Sequence, residues 1–166
     1  MPSGSFRCKG ASIPPGKAGS CDLCRHVVET DSIKSPWDGR TLKINRRVTC
    51  TTPNIVYCIR CTLHEGAWII GSSVSMPERW RNYRKDFISK SSERCGLSKH
   101  AAERDHPNIV KRQPIPFLEV ILLDAVDKND RDQLLCREVF WQTNVGTLKF
   151  GLNERKDFIT VAKRSK

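Results

Sequence analysis

The stretch from Asn54 to Arg84 constrains the fold more than any other part of this chain. Asn54–Cys61 and Ala67–Ser72 are two short runs that are apolar at both odd and even positions. That pattern suits strands covered on both faces rather than strands with one face in water. His64-Glu65-Gly66 provides the turn between them, so the pair reads as a hairpin. A helix over about 76–89 follows, with Ser75 as cap, Pro77 in the first turn and Glu78 three residues after the cap. Trp80, Tyr83 and Phe87 recur at helical spacing and predict its buried stripe. Arg79, Arg81, Arg84 and Lys85 take the remaining surface. A hairpin feeding an arginine-rich helix is a platform on which a phosphodiester can be held.

The net charge of +11 points the same way, toward a polyanionic partner, although charge speaks to association and not to fold. A nucleic acid, DNA or RNA, is one such partner. No run of about 18 apolar residues exists, so no membrane span is expected. The first ten residues lack the apolar centre of a secretion signal. The expected location is therefore nuclear or cytoplasmic rather than secreted. In a reducing compartment, eight cysteines read as zinc ligands or free thiols before disulfides.

Residues 1–20 are rich in Gly, Ser, Pro and Lys and read as a disordered leader, in which Cys8 reads as a free thiol, with metal ligation the lesser alternative. Residues 21–52 read as a Cys-rich, zinc-binding extension. Cys21 and Cys24 have the spacing at which a tight turn aims two thiolates at one tetrahedral ion. Asp38-Gly39 is a turn signal, and a small hairpin over about 33–48 delivers Cys50. Such a hairpin is marginal alone, and a structural ion at its ends would supply stability. Cys58 faces away from Tyr57, Ile59 and Cys61 on a strand, so it reads as a core residue. The expected zinc set is Cys21, Cys24, Cys50 and Cys61, with His26 or His64 as substitutes.

Residues 53–156 read as the main domain and 157–166 as a basic tail. A short helix over 98–103 carries His100 and ends before His106-Pro107. Phe117–Asp124 is the strongest strand and is expected at the centre of the sheet. Asp127 is expected to open a last helix over 128–143 that carries Glu138, and Gly151-Leu152-Asn153 reads as a turn. A glutamate facing the sheet would need a cation or a hydrogen-bond partner. No glycine-rich phosphate loop, nucleophile elbow or His-Glu-x-x-His helix is present.

Taken in order, these features resemble the GIY-YIG nuclease family, and in particular the nuclease domains at the C-termini of Penelope-like retroelements. The positions that carry the resemblance are Cys21-Asp-Leu-Cys24, Thr49-Cys50, Ile55-Val56-Tyr57, Cys61-Thr-Leu-His64, Ile69-Ile70-Gly71 and Arg79. His100, Glu138-Val-Phe-Trp141 and Gly151-Leu152-Asn153 complete the set, which spans about residues 21–153. The resemblance implies a small α/β domain, a three-stranded antiparallel sheet flanked by helices, with the Cys-rich zinc-binding hairpin at its N-terminus. It implies Mg²⁺- or Mn²⁺-dependent DNA cleavage beside a structural Zn²⁺, and a parent protein with an upstream reverse-transcriptase domain. By the same resemblance Glu138 holds the single catalytic metal and Arg79 neutralises charge on the phosphoryl oxygens. Tyr57 orients or deprotonates the attacking water, with nearby cations lowering its pKa. Asn153 braces the site, and His100 matches a less constant position. Three positions depart from the family. Ile69 stands where a second tyrosine is usual, Gln142 replaces an apolar residue, and Tyr83 stands near a common histidine. Ile69 can neither donate, accept nor ionise, and Trp68 points to the opposite face of the strand. A degenerate nucleic-acid-binding module on the same fold is therefore the alternative to an endonuclease.

Overall fold

The structure, a computed structural model, describes residues 2–90, 96–110 and 112–153. The basic tail and the end of the main domain lie outside the described residues. The fold is mixed α/β. Its centre is a three-stranded antiparallel sheet made of β5 (Ile55–Cys61), β6 (Trp68–Ser73) and β7 (Leu118–Ala125), in the order β6-β5-β7. The hairpin is therefore present, but β5 and not the 117–124 strand is central. Apolarity on both faces did not separate centre from edge, because the outer edge of β7 is itself covered. Val28 N–H donates to the Val120 carbonyl, Val120 N–H donates to the His26 carbonyl, and Leu122 N–H donates to Ser5 Oγ.

Alternation along the strands builds two cores. Tyr57, Ile59 and Ile69 face the layer of α1 (Met76–Ser89) and α2 (Gly96–Glu103), packing with Trp80, Phe87, Leu97 and Ala101. Val56, Cys58 and Ile70 face α3 (Arg131–Val145), packing with Leu134, Trp141 and Val145. Cys58 is thus a core residue, fully buried on the α3 side. α1 has the expected bounds. α3 begins later than expected because its cap is Asp130, whose carboxylate accepts from Asp132 N–H and Gln133 N–H. Asp127 instead pairs with Arg46. The helix runs on to Val145 and stops at Gly146, whose φ of 102° suits a residue without a Cβ.

Residues 2–20 are not a loose leader. Gly4–Ser5 (β1) pair in parallel with Arg47–Val48 (β4), and Cys21 N–H donates to the Gly10 carbonyl. The expected hairpin consists of Ser32–Lys34 (β2) and Thr41–Lys43 (β3) around Asp38-Gly39. It docks on the end of α3, where Ser35 Oγ donates to the Val145 carbonyl and Arg40 to the Asn144 carbonyl. These bonds satisfy carbonyls that a helix end leaves without partners.

Candidate active site and metal-ligand clusters

A cleft of about 920 Å³ opens along Gly71–Ser75, with Arg79 and Tyr83 of α1 on one side and Glu138 of α3 on the other. Tyr57, Ile69 and Asn153 also line it. Four of the residues named from the sequence, Tyr57, Arg79, Glu138 and Asn153, thus border one concavity. His100 does not line it.

The position of each side chain follows from the sheet. Tyr57 is 1 % exposed, and its phenol lies over Gly71. A Cβ at that glycine would come 2.6 Å from the Tyr57 hydroxyl, so the close approach needs glycine. Tyr57 O–H donates to the Tyr83 hydroxyl at 2.9 Å. Burial raises the Tyr57 pKa well above its ordinary value, the nearby Tyr83 adds to the rise, and the pull of Arg79 in the other direction is smaller. This corrects the expectation that cations bring Tyr57 into the range of a base. It is a neutral phenol that holds Tyr83. Arg79 sits one turn before Tyr83, with its guanidinium 5.9 Å from the Tyr83 ring centroid. Ile69 lies on the Tyr57 side of β6 and brings only hydrocarbon to the cleft. Trp68 faces the other layer, against Trp37, so it supplies no missing hydroxyl.

On the α3 side, Ser72 Oγ donates to Glu138 Oε2, and Gln142 Nε2 donates to Glu138 Oε1 at 3.0 Å. Asn153 does not reach into the cleft as a reacting group. Its amide oxygen accepts from Ile70 N–H and its amide nitrogen donates to the Ile70 carbonyl, both at 2.8 Å. With Leu152 N–H donating to the Trp68 carbonyl, residues 152–153 clamp the β6 edge, and the cleft opens just past that clamp.

Two clusters of sulfur and nitrogen ligands lie apart from the cleft lining. In the first, the Sγ atoms of Cys8, Cys21, Cys24 and Cys50 lie within 4.8 Å of one another. Cys8 N–H donates to Cys24 Sγ and Cys24 N–H donates to Cys21 Sγ. The hydrogen bond from Cys24 brings the Cys21 thiol down to about 5, while burial pushes Cys50 up to about 12. Four crowded sulfurs with one easily ionised member form a donor set compatible with structural zinc. The fourth member is Cys8, the residue read as a free thiol, and Cys61 is absent from this group. His26 is no substitute. Its Nδ1 bonds the Asp22 carbonyl and its Nε2 accepts from Ile115 N–H, so both nitrogens are used.

Cys61 belongs to the second cluster, with His64, His100 and His106, whose donor atoms again lie within 4.8 Å. Cys61 Sγ is 3.5 Å from His64 Nδ1 and 3.6 Å from His106 Nε2, and the Nε2 atoms of His100 and His106 are 3.2 Å apart. His106 Nδ1 bonds the Arg104 carbonyl, which leaves Nε2 as the atom turned to the cluster. Burial brings His100 down to about 4, and the neighbouring His106 and His64 add to the fall. Unprotonated imidazoles facing one another beside a thiol form a site for a cation, and zinc suits the donor types. The sequence reading missed His106 and gave His100 another role. The i, i+3 spacing of Cys61 and His64 was the available signal.

No protein-family model matches the chain, and no curated protein matches it. Among solved structures, the catalytic domain of the homing endonuclease I-TevI matches with a TM-score of 0.46 and 19 % identity. The match covers 59 % of this chain and 94 % of that one. At that level the likeness stands as an observation and decides neither family nor activity. Among the described residues no helix is long and apolar enough to cross a membrane.

Proposed function

We propose that this chain is a divalent-metal-dependent endonuclease of the GIY-YIG type that hydrolyses phosphodiesters in DNA. One observation carries the reading: Tyr57, Arg79, Tyr83 and Glu138, drawn from three elements, border a single open cleft. Glu138 is the carboxylate that would hold Mg²⁺ or Mn²⁺. Both its oxygens accept from neutral donors, and a hard cation takes its other ligands from water and phosphate. The metal, when bound, would polarise the scissile phosphate and the leaving oxygen. Arg79 would neutralise charge on the phosphoryl oxygens. Tyr57, a neutral donor, fixes the Tyr83 hydroxyl, which would orient the attacking water rather than deprotonate it. Zinc at the Cys8 and Cys61 clusters would be structural. The net charge of +11 supports a nucleic-acid substrate, bound in a salt-dependent way. A nuclear or cytoplasmic location, and a retroelement parent carrying a reverse transcriptase, belong to the same proposal.

A second reading rests on Ile69. With no hydroxyl there, and with Tyr57 buried and neutral, the cleft can bind a phosphate backbone without cutting it. Nicking of supercoiled plasmid with Mg²⁺ or Mn²⁺ separates the two. The endonuclease reading expects nicking by the wild type and its loss in Glu138→Ala. Absence of nicking in the wild type with gain in Ile69→Tyr would establish the binding module. Nicking that survives in Glu138→Ala would falsify the metal assignment.

A further inference from the structure

We infer that Gln142, with Ser72, is a positioning residue that sets the Glu138 carboxylate for the divalent cation. The inference rests on the proposed metal role of Glu138 and assigns part of that role to a residue outside the motif set.

Gln142 is fully buried on α3, one turn after Glu138. A buried amide in a core costs free energy unless it is bonded, and an apolar residue would pack there at no such cost. Its Nε2 meets two acceptors, the Ile70 carbonyl at 2.9 Å and Glu138 Oε1 at 3.0 Å. Because both partners accept, only the NH₂ end of the amide can face them, and the orientation of the group is fixed by chemistry. Its Oε1, turned away, has no partner among the described residues. A side chain kept only for packing would not carry that burden, so the two donated bonds are what the amide provides.

The other Glu138 oxygen accepts from Ser72 Oγ. The carboxylate is therefore held at both oxygens by neutral donors, one from its own helix and one from β6. The Ile70 carbonyl that Gln142 grips is the one that Asn153 also grips. One peptide of the edge strand thus links the β6 clamp to the carboxylate through the Gln142 amide. Such supports behind a metal ligand typically change metal affinity or activity by about 10–100-fold when removed.

The test uses the zinc-loaded full chain and Mn²⁺ as probe. Mn²⁺ binding is measured by electron paramagnetic resonance with and without duplex DNA, beside kcat and KM for nicking and the thermal midpoint. Gln142→Met keeps the length of the side chain and removes both donors. It is expected to weaken Mn²⁺ by about 10–100-fold, to lower kcat with little change in the KM for DNA, and to recover in part at high Mn²⁺. Ser72→Ala, at a half-buried position outside the core, is expected to move the same quantities less and keeps the test open if Gln142→Met does not fold. Glu138→Gln is the control. If it loses Mn²⁺ binding while Gln142→Met and Ser72→Ala bind as the wild type does, the positioning role is overturned and the metal reading stands. A lowered thermal midpoint at wild-type Mn²⁺ affinity likewise reduces Gln142 to a packing residue. If Glu138→Gln binds Mn²⁺ like the wild type, or the wild type binds none, the metal reading itself fails.

Discussion

The two ligand clusters hold the same number of donors and differ in nearly everything else. The Cys8 cluster gathers four sulfurs from the N-terminal third of the chain, a region of short strands with little core of its own. The Cys61 cluster joins the end of β5 to α2 and to the segment before β7, against Phe87 and Phe117 of the main core. With zinc bound, the first would be net negative and the second net positive. A region without enough apolar surface needs an ion as part of its fold. A region already packed can use one to fix the approach of helices. The contrast teaches that ligand count alone does not tell how much stability rides on a metal.

Cys24→Ser is expected to have the largest effect. Zinc content should fall by one equivalent, and the N-terminal third should lose protection in hydrogen exchange, because structural zinc binding is itself folding free energy of about 10 kcal/mol or more. Equal zinc content in the variant would end the contrast. His106→Ala should also remove one equivalent but leave the sheet folded, with a smaller fall in the thermal midpoint. If it unfolds the protein as Cys24→Ser does, the two clusters are equivalent after all. His26→Ala should leave zinc unchanged. It should still destabilise by about 2–3 kcal/mol, since it strands the Ile115 N–H and removes a ring packed 4.4 Å from Trp80. Loss of zinc there would make His26 a ligand despite its bonded nitrogens.

A last effect, comparable at most with that of His26→Ala, concerns pH. His100 in the folded, metal-free protein is brought from 6.5 down to about 4. Between these values the unfolded chain binds the extra proton and the folded one does not, so stability should fall as pH drops from about 6.5 to about 4 and then level off. Urea titrations across that window, with one zinc equivalent bound at the Cys8 cluster and the Cys61 cluster left empty, measure it, and His100→Gln should reduce the slope, to which His26 and His106 also contribute.

The sheet, the helices and the cleft were legible where local pattern and tertiary outcome agree. Tyr57, Arg79 and Tyr83 are carried by elements whose periodicity is plain, so placing the elements placed the side chains, whereas α3 has little amphipathic pattern and the face that Glu138 takes was left open. The clusters were half legible. The Cys21–Cys24 pair is a local signal, but Cys8 sits in a stretch of Gly, Pro and Ser that composition assigns to disorder, and only the fold brings it back. His106 lies in irregular chain just past the end of α2, and nothing local distinguishes it from a surface histidine. Cys61 was assigned to the wrong group because strand alternation gives the face a residue points to, not which distant segment meets it. The order of strands was misjudged because coverage of the outer edge of β7 comes from residues more than 90 positions earlier.

That coverage has a further consequence. Leu118–Ala125 is apolar at every position but Glu119 and Asp124, and two of its peptides are occupied by His26 and Val28, which follow the Cys21–Cys24 turn. Stripping or oxidising the cysteine cluster would loosen the segment that shields this edge. An unshielded strand of this composition is a template for strand addition by another chain. Metal loss would then be read first as self-association through the sheet, and the N-terminal cluster would serve as a guard against aggregation as well as a support for the fold.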